Sequence, residues 1–425
     1  MAIDNKDKKV LKSSIEREQN EVACSAECEK IKGSKNLNVP HLRFPEFSEE
    51  WEICKVSELL DFYSTNSLSW EQLEYGTKAI MNLHYGLIHV GLPTMVDLTR
   101  DNLPNIKEDN MPKNFELCKE GDVAFADASE DTNEVAKPIE FFDLAGKNIV
   151  CGLHTIHGRD NKNKTVIGFK GYAFSSSAFH NQIRRIAQGT KIYSISTKNF
   201  SECYVGIPSK AEQTKIATLL RLIDERIATQ NKIIEDLKKL KSAISLKMLH
   251  SDSWEQFKIQ DIASIGRGRV ISSVEISQQE NPLYPVYSSQ TSNDGIMGYL
   301  DDFMFEGEYI SWTTDGANAG TVFYRNGKFN CTNVCGLLKL KKGFDAHFVS
   351  LVLAEATRMY VSTNLANPKL MNNTMGNIQI RLPKLEEQKR ISIVFRKLHG
   401  LLETHNSLII KYSKQKQYLL SQMFI

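Results

Sequence analysis

Residues 207–224, "IPSKAEQTKIATLLRLID", and residues 382–399, "LPKLEEQKRISIVFRKLH", share a proline, a Glu-Gln pair and the start of an apolar helical pattern. The two segments superimpose at a constant offset of 175 residues, and the match continues without a gap to residue 425. A match of this length at one offset indicates an internal duplication. Each proline stands just before its helix, where a missing backbone N–H is tolerated.

Both copies carry a narrow apolar stripe, from Ile216 to Met248 and from Ile391 to Met423, in steps of four and three residues. A stripe with a period of 3.5 is typical of a coiled-coil seam. Polar residues interrupt it at equivalent places in the two copies: Gln230 and Lys241, and His405 and Lys416. Such residues tend to fix the register of the helices, although the sequence does not identify the residues they face. Each copy is predicted to be a helix of about 40 residues, or about 60 Å, and the other copy is its natural partner.

The duplication also reaches the regions before the helices, at offsets that change along the chain. Residues 51–59 "WEICKVSEL" match 254–262 "WEQFKIQDI" at 203, 120–125 "EGDVAF" match 306–311 "EGEYIS" at 186, and 150–156 "VCGLHTI" match 334–340 "VCGLLKL" at 184. The offset falls because the first copy contains insertions. The chain therefore has two homologous halves, each a globular domain followed by a long helix.

The domains are predicted to be mixed α/β. Short β-branched and aromatic runs such as "YPVYSSQ", "EYISWTT" and "TVFYRNG" indicate strands, and "FSSSAFHNQIRRIAQ" and "FVSLVLAEATRMYVS" indicate helices. We predict a disordered extension over 1–38, a first domain over 39–206, a central helix over 207–250, a second domain over 251–381 and a C-terminal helix over 382–425.

The composition bounds the function. A net charge of +2 gives no global field that attracts nucleic acid, so any basic surface is expected to be local. No run of 18 apolar residues occurs, and the start of the chain lacks the apolar core of a signal peptide. These features predict a cytoplasmic protein without a membrane partner.

Three places in the sequence offer potential metal ligands. Cys24 and Cys28, and Cys331 and Cys335, are spaced like half of a zinc site, and Cys151, His154 and His157 could in principle supply three ligands. Eight scattered cysteines without paired clusters are more typical of reduced thiols and ordinary strand residues, so we predict no metal site.

The sequence contains neither a phosphate-binding loop nor a glycine-rich dinucleotide turn. Residues 264–270, "SIGRGRV", are better explained as a surface turn in which Arg267 and Arg269 contact phosphates. Residues 281–284, "NPLY", lack the second proline of the adenine methyltransferase motif. The acidic stretch 125–134 could hold a metal, but its companion 311–320 keeps one acid, which favours a polar loop.

The order of domain, "P-x-x-x-E-Q-x-x-I" helix, domain and the same helix resembles the DNA-specificity subunit of type I restriction–modification systems. The resemblance runs from residues 39–52, "VPHLRFPEFSEEWE", to residue 425, and residues 284–303 and 307–336 are similar to stretches of its target-recognition domains. It implies two homologous target-recognition domains joined by two long antiparallel coiled-coil helices.

The resemblance also implies a role without catalysis. Each domain would read one half of a bipartite site in double-stranded DNA, and the helices would set the spacer. Two modification subunits would carry S-adenosylmethionine and methylate adenine. Two restriction subunits would add ATP-driven translocation and nuclease activity with magnesium, and no cofactor is expected in this chain. Two other hypotheses compete with this one. The first is a stand-alone DNA methyltransferase or nuclease, which the missing motifs disfavour. The second is a purely structural scaffold, which the unequal loops of the two domains disfavour.

Polar residues that follow matched strands are the candidates for DNA contact, since groove edges are read by such side chains. In the first domain they are Asp127, Ser129, His154, His157 and Arg159. In the second they are Ser289, Gln290, Thr314, Asp315 and Asn333, besides the arginines at 267 and 269.

Overall fold

The computed structural model describes residues 38–76, 80–362 and 367–425. Their contacts divide the chain into two compact units. The first comprises the described residues up to Thr229 together with Ile409–Ile425, and the second comprises Gln230–Leu408. Apart from Asn38, the predicted N-terminal extension lies outside the described residues, as do Cys24 and Cys28.

The first unit contains short strands, short helices and parts of both long helices, residues 210–229 of one and 409–422 of the other. Its strands are β1 (Glu52–Lys55), β2 (Asp61–Tyr63), β3 (Leu73–Glu74), β4 (Met81–Leu83), β5 (Met95–Asp97), β6 (Asn105–Ile106), β7 (Val123–Ala126), β8 (Ala128–Ser129), β9 (Pro138–Asp143), β10 (Ile149–Cys151), β11 (Thr155–Arg159), β12 (Tyr193–Ser194) and β13 (Tyr204–Ile207). Its helices are α1 (Val56–Leu59), α2 (Tyr85–His89), α3 (Lys170–Phe174), α4 (Ser177–Ile186), α5 (Thr197–Ser201) and residues 210–229 of α6 (Lys210–Met248), with 3-10 turns at Trp70–Gln72 and Glu108–Asn110.

The central sheet of the first unit has the order β2-β11-β7-β9-β5, beside a sheet ordered β10-β4-β6-β3 and the pairs β1-β13 and β12-β8. Every residue of β7 is buried. Val123 and Phe125 face one hydrophobic core, and Ala124 and Ala126 face another. A strand covered on both faces is apolar throughout, which explains why this segment shows no polar alternation.

The second unit repeats this plan with fewer elements. Its strands are β14 (Glu255–Lys258), β15 (Ala263–Arg267), β16 (Tyr284–Tyr287), β17 (Ile296–Leu300), β18 (Phe305–Glu306), β19 (Tyr309–Thr313), β20 (Val322–Arg325), β21 (Lys328–Cys331), β22 (Cys335–Leu340) and β23 (Gln379–Leu382). Its helices are residues 230–248 of α6, then α7 (Ile259–Ile262), α8 (Ser273–Ser277), α9 (Ala346–Ala356), α10 (Asn372–Asn377) and residues 385–408 of α11 (Leu385–Gln422), with 3-10 turns at Ser292–Gly295 and Thr357–Met359.

The sheets of the second unit are ordered β15-β22-β19-β20 and β17-β16-β21-β18, and β14 pairs with β23. Trp312 on β19 is fully buried in a core with Phe348 and Leu353 of α9, and its indole Nε1 donates to the Leu370 carbonyl at 2.9 Å. The predicted strands at 284–290, 308–314 and 321–327 and the helices at 174–188 and 348–362 are thus present, with somewhat different ends.

Strand registers show which positions of the two halves are equivalent. Phe62 of β2 pairs with Gly158 of β11. The residue equivalent to Phe62, at the offset of 203, is Ile265 of β15, and it pairs with Leu338 of β22. Strands β11 and β22 are therefore equivalent at an offset of 180, which corrects the value of 184 taken from the shared "VCGL" letters. Gly158 also pairs with Val123 of β7, and Leu338 pairs with Ile310 of β19. Strands β7 and β19 are therefore equivalent at an offset of 187, whereas the shared letters gave 186.

The "VCGL" glycines consequently have different roles. Gly152 lies between β10 and β11, where a Cβ would come within 2.4 Å of the Asn82 side chain. Gly336 lies inside β22, where a Cβ would come within 2.1 Å of the Trp312 ring. Both positions exclude a larger side chain, so similar letters arose at places that are not equivalent.

The long helices pack against each other in opposite directions. In the first unit Ile216 and Leu220, near the start of α6, share a core with Leu419 and Met423, near the end of α11. In the second unit Met248 and Ile244, near the end of α6, pack in the core that holds Ile391 and Phe395. The predicted antiparallel seam is confirmed within each unit.

The repeated Glu-Gln pair is explained by its glutamine. Gln213 is fully buried, its Nε2 donates to the Pro208 carbonyl at 2.9 Å, and its Oε1 accepts from the Val166 N–H at 2.9 Å. Gln388 repeats this arrangement with the Pro383 carbonyl at 2.8 Å and with the N–H of Asp345, in the domain that precedes the helix, at 2.9 Å. Each glutamine therefore fastens the start of a long helix to its own domain.

Candidate nucleic-acid interface

In the second unit, the ends of three strands meet at one edge. The Thr332 N–H donates to the carbonyl of Tyr287, the last residue of β16, at 2.9 Å. The Thr314 N–H, just after β19, donates to the Val334 carbonyl at 3.1 Å. The loop after β16, the end of β19 and the turn between β21 and β22 are thereby brought together. This edge is the candidate DNA-facing edge of the second unit.

Most predicted contacts of the second domain lie on this edge. Asn333 is exposed, and Ser289, Gln290 and Asp315 are half-buried. Thr314 differs, since it is only 1% exposed and its hydroxyl donates to the Val334 carbonyl at 2.9 Å. Thr314 therefore holds the edge together, and its side chain is not available to a base.

Arg325 supports the loop after β16 and was not predicted from the sequence. It is 3% exposed, and its guanidinium lies 3.6 Å from the ring centroid of Tyr287. Its Nη1 donates to an Asp294 carboxylate oxygen at 2.6 Å, and its Nε donates to the Ser311 hydroxyl at 3.0 Å. Asp294 has a positive φ of 52°, so the arginine fixes a turn in an uncommon conformation. The sequence offers one signal for it, the spacing of two residues from Phe323, which places both side chains on the same face of β20.

The two arginines of "SIGRGRV" lie at the end of β15 and are exposed. Arg267 donates through Nε to the Asn372 amide oxygen at 2.9 Å, and Arg269 forms an ion pair with Glu275. The Arg269 N–H donates to the Cys331 carbonyl at 3.1 Å, which places it beside the β21–β22 turn. Both guanidinium groups can reach a phosphate, but that of Arg269 is partly neutralised by its acidic partner.

The first unit forms an edge from the equivalent elements. The Asp127 N–H, after β7, donates to the His154 carbonyl at 3.1 Å, and the His154 Nδ1 lies 3.1 Å from the Asp127 Oδ1. Tyr85, just after β4, donates its N–H to the Leu153 carbonyl at 3.3 Å. Together with Ser129 on β8, these residues form the candidate DNA-facing edge of the first unit.

A cavity of about 680 Å³ opens along this edge. Ser129 and His154 line it, as do Tyr85 and His89, which were not predicted. The Tyr85 ring stands edge-on to His154 at 5.1 Å between centroids. Three acids and one lysine also line it: Glu130, Asp131, Glu134 and Lys137. Carboxylates repel phosphates and accept hydrogen bonds from base amino groups such as cytosine N4, so this edge is suited to bases and not to the DNA backbone.

His157 and Arg159 lie inside the first unit. The side chain of His157 is fully buried, and its Nε2 is 2.7 Å from the Asp122 Oδ2. Arg159 is 7% exposed, contacts the same carboxylate at 2.8 and 2.9 Å, and donates to Glu116 at 2.6 Å. Every residue of β11 is buried, and His157 and Arg159 lie on the same face of the strand, within the packing of the unit. This placement removes both residues from the set that can reach DNA.

The pKa values in this network shift in the directions expected for a buried salt bridge. Burial alone would raise the pKa of Asp122, but hydrogen bonds from His157 and Arg159 lower it. Burial alone would lower the pKa of Arg159, but its hydrogen bonds to Asp122 and Glu116 raise it. The charged forms are therefore stabilised together, and the network is structural.

One group of potential metal ligands occurs among the described residues: Cys118, Cys151 and His157. Their donor atoms lie within 4.8 Å of one another, and the two sulfurs are 3.6 Å apart. His154, the third ligand considered from the sequence, points instead to Asp127. A structural zinc site takes four ligands, and three buried donors do not complete one. We keep the interpretation of reduced thiols here, as for the buried Cys331 and Cys335.

Within the described ranges, none of the helices combines the length and the apolar character needed to cross a membrane.

Comparison with known proteins identifies the family. The family model for the type I restriction modification DNA specificity domain matches residues 99–239 and 251–411. The chain belongs to this family. Family members are specificity subunits and not enzymes, so the predicted family, the role in DNA specificity and the absence of a catalytic role are confirmed. The two matches also agree with the duplication of this specificity subunit.

Curated relatives come from Mycoplasma pneumoniae. The putative type I specificity subunit S.MpnORF201P is 36% identical over 232 residues, which cover 53% of this chain and 96% of the relative. The specificity subunit of the type I restriction enzyme MpnII is 41% identical over 177 residues, 40% of this chain and 53% of the relative.

Solved structures share the fold of this specificity subunit. The S subunit of a type I restriction-modification system from M. genitalium has a TM-score of 0.63 at 17% identity, covering 91% of this chain and 99% of that one. A chain from a structure on complex assembly and conformational transition of the type I R-M system has a TM-score of 0.52 at 14% identity, covering 90% and 98%. The predicted fold class is thereby confirmed.

Proposed function

We propose that each unit of this specificity subunit reads one half of a bipartite site in double-stranded DNA. One observation carries the proposal. The same strand ends build an edge in both units, yet the side chains on the two edges differ, with His154 and Asp127 on one and Asn333 and Gln290 on the other. Two copies of one backbone arrangement that carry different base-contacting side chains are suited to a DNA site whose two halves differ in sequence.

The chemistry of the edges supports base reading. Amide side chains such as those of Asn333 and Gln290 can donate to and accept from adenine N7 and N6 in the major groove. The Asp127 carboxylate can accept from cytosine N4. Arg267 and Arg269 would contact phosphates, which fix the position on DNA without reading its sequence. The near-neutral net charge means that partner subunits would provide most of the backbone contacts.

The long helices would set the distance between the half-sites. Helix α6 has 39 residues, or about 58 Å at 1.5 Å per residue, whereas successive major-groove faces on one side of DNA are about 34–36 Å apart. A rod of this length is sufficient to separate two half-sites by more than one turn.

The helices also offer docking surfaces. Each unit exposes apolar side chains on its part of the long helices: Leu222, Ile410 and Tyr418 in the first, and Leu240, Leu246, Ile393 and Leu401 in the second. Two modification subunits with S-adenosylmethionine would bind here, and two restriction subunits with ATP and magnesium would join them. DNA as the ligand agrees with the expected cytoplasmic location.

A domain exchange tests the proposal. Residues 39–206 are replaced by those of a relative, and the methylated motif is read by methylome sequencing of a host that also makes the modification subunit. One half of the motif should change and the other should persist. A change in both halves, or in neither, would contradict the assignment of one half-site to each unit. Purified chain mixed with DNA and S-adenosylmethionine without partners should give no methylation.

A further inference from the structure

The second unit has a large cavity beside the start of α11. Its volume is about 1080 Å³, and Trp254, Phe344, Glu387 and Arg390 line it together with the end of α6. Two acids and several bases surround an aromatic floor. A cavity of this size can hold several side chains of a peptide.

The equivalent place in the first unit is filled by the chain itself. Residues 42–47, "LRFPEF", cross it, and Arg43 donates through Nε and Nη2 to the two oxygens of Glu212, at 2.7 Å each. Phe44 packs against the main core, and Glu46 forms an ion pair with Lys215. The segment therefore places an arginine, an aromatic ring and a carboxylate in fixed sockets.

Both charged sockets recur in the second unit. At the offset of 175, Glu387 is equivalent to Glu212, and Arg390 is equivalent to Lys215. Among the described residues neither of these two side chains has a hydrogen-bond or ion-pair partner. Glu212 is 1% exposed under its arginine, whereas Glu387 is exposed. The difference follows from the covalent structure, because α6 leads through residues 249–253 directly to Trp254 and leaves no free segment to cover the cavity.

We propose that this cavity binds an extended peptide segment of a partner subunit, in which an arginine is followed by an aromatic residue and, three positions after the arginine, by a carboxylate. The arginine pairs with Glu387, the carboxylate pairs with Arg390, and the ring packs on the aromatic floor. The assignment to a partner subunit rests on the proposed function. Arginine–carboxylate pairs of this bidentate kind give geometric specificity as well as energy.

No second segment of the chain has this pattern of an arginine, an aromatic residue and a carboxylate that could fill the cavity. Arg43 is its one arginine followed directly by an aromatic residue, and that segment is already bound in the first unit. The only other arginine with an acid three positions on is Arg221, which lies within α6. Lys247 and Lys384 at the cavity favour further acids in the bound segment, as Glu49 and Glu50 follow Glu46 in the first unit.

A labelled peptide of residues 38–50 is the probe. In fluorescence anisotropy with the full chain it should bind saturably, with one peptide per chain, because the other socket is occupied by the chain's own segment. Glu387→Arg should weaken binding about tenfold or more, since a hydrogen-bonded charge pair contributes about 1.5–3 kcal/mol. A peptide with Arg43→Glu should bind the Glu387→Arg variant better than it binds the native chain.

The matched control is Glu386→Arg, which changes the neighbouring exposed residue, outside the cavity lining, and should leave peptide binding unchanged. Thermal unfolding of both variants shows that they are folded. Absence of saturable binding, or equal binding by the two variants, would overturn the cavity as a peptide site.

Two further measurements test the occupant. Assembly with the modification subunit should weaken about tenfold with Glu387→Arg and persist with Glu386→Arg. A dimer of the chain alone that disappears with Glu387→Arg would show exchange of residues 42–47 between copies and overturn the assignment to a partner subunit. The domain exchange described above does not involve this cavity, so failure of the two proposals can be told apart.

Discussion

Gln230 and His405 occupy equivalent positions of the two long helices and contact each other, with the Oε1 of Gln230 2.6 Å from the Nδ1 of His405. Because the offset of 175 carries one residue onto the other, the pair is its own counterpart in the duplication. The second polar position of the C-terminal helix, Lys416, pairs with Asp224 at 2.7 Å. A polar contact in an apolar seam disfavours shifted registers, in which a buried polar group would lack its partner. The Gln230–His405 contact therefore marks the register of the antiparallel pair.

Lengthening both helices at this pair should lengthen the DNA spacer. One heptad inserted after Gln230 and another after His405 keep both seams in phase and add about 10 Å. The methylated motif should keep both half-sites and gain about three base pairs of spacer, at 3.4 Å per pair along a strand. The readout is methylome sequencing of cells that carry the variant and the modification subunit. An active variant with the original spacer would show that the helices do not set the distance.

Removing a buried glutamine should loosen a helix start from its domain. Gln388→Ala leaves the Pro383 carbonyl and the Asp345 N–H without their partners, which should destabilise the second unit by about 2–4 kcal/mol. Hydrogen exchange should accelerate in peptides of α9 and of the start of α11. The control Glu386→Ala, on an exposed side chain, should change stability by less than about 0.5 kcal/mol. Equal exchange in the two variants would contradict the fastening role.

Base reading and structural support can be separated in the second unit. Asn333→Ala should relax preference at one base pair and cost about 1–3 kcal/mol of binding to the cognate site. The control is Asn326→Ala, which should leave affinity and motif unchanged. Asn326 is an exposed asparagine in the turn before β21, whereas Asn333 lies in the turn after β21. Electrophoretic binding assays of the assembled complex on cognate and single-substitution sites measure both. Equal affinity and equal base preference in the two variants would show that Asn333 does not read a base.

The buried arginine of the first unit should affect folding and not specificity. Arg159→Ala leaves the Asp122 charge uncompensated beside His157, and loss of one partner of a buried pair costs about 3–5 kcal/mol. Urea denaturation should show this loss, while the motif methylated by the surviving folded fraction stays the same. An altered motif with native stability would indicate that Arg159 contacts DNA after all.

His347 should make the second unit sensitive to acid. Burial, together with the nearby positive charge of Arg396, lowers its pKa to about 4 from 6.5, and its Nδ1 lies 2.8 Å from the Ser392 hydroxyl. As pH falls below about 6.5 the unfolded chain takes up a proton that the folded unit does not, so stability falls. The contribution is fully present above pH 6.5 and declines toward pH 4, by at most about 3 kcal/mol. His347→Gln should flatten this part of the pH–stability curve, and an unchanged slope would exclude His347 as its source.

The architecture was accessible from the sequence because the signals for it are long and repeated. The seam from Ile216 to Met248 extends over many turns, and its second copy removes the ambiguity of a single pattern. Short β-branched runs were sufficient to locate strands such as β16 and β19. The antiparallel arrangement was an expectation from the resemblance to the specificity-subunit family.

The direction of individual side chains was not accessible in the same way. His154 and His157 are three residues apart, yet the first is exposed in a turn with a positive φ of 54° and the second is fully buried. That difference depends on where β11 begins and on which strands flank it. Thr314 beside Asp315, and the displaced "VCGL" letters, show the same limit. A polar residue after a strand can serve the DNA or the fold, and pairing with distant strands decides which.

Residues 42 and 422 are joined by a backbone hydrogen bond of 2.9 Å, and the Phe424 ring stands edge-on to Trp51 at 6.2 Å between centroids. These two segments, which lie near the two ends of the described part of the chain, therefore seal one core. This closure makes the molecule a candidate for circular permutation. A short linker from residue 425 to residue 38, with new ends opened between the exposed residues 252 and 253, would leave every described strand pairing in place. In such a circularly permuted chain the second half would precede the first in the gene, and the folded structure would be the same.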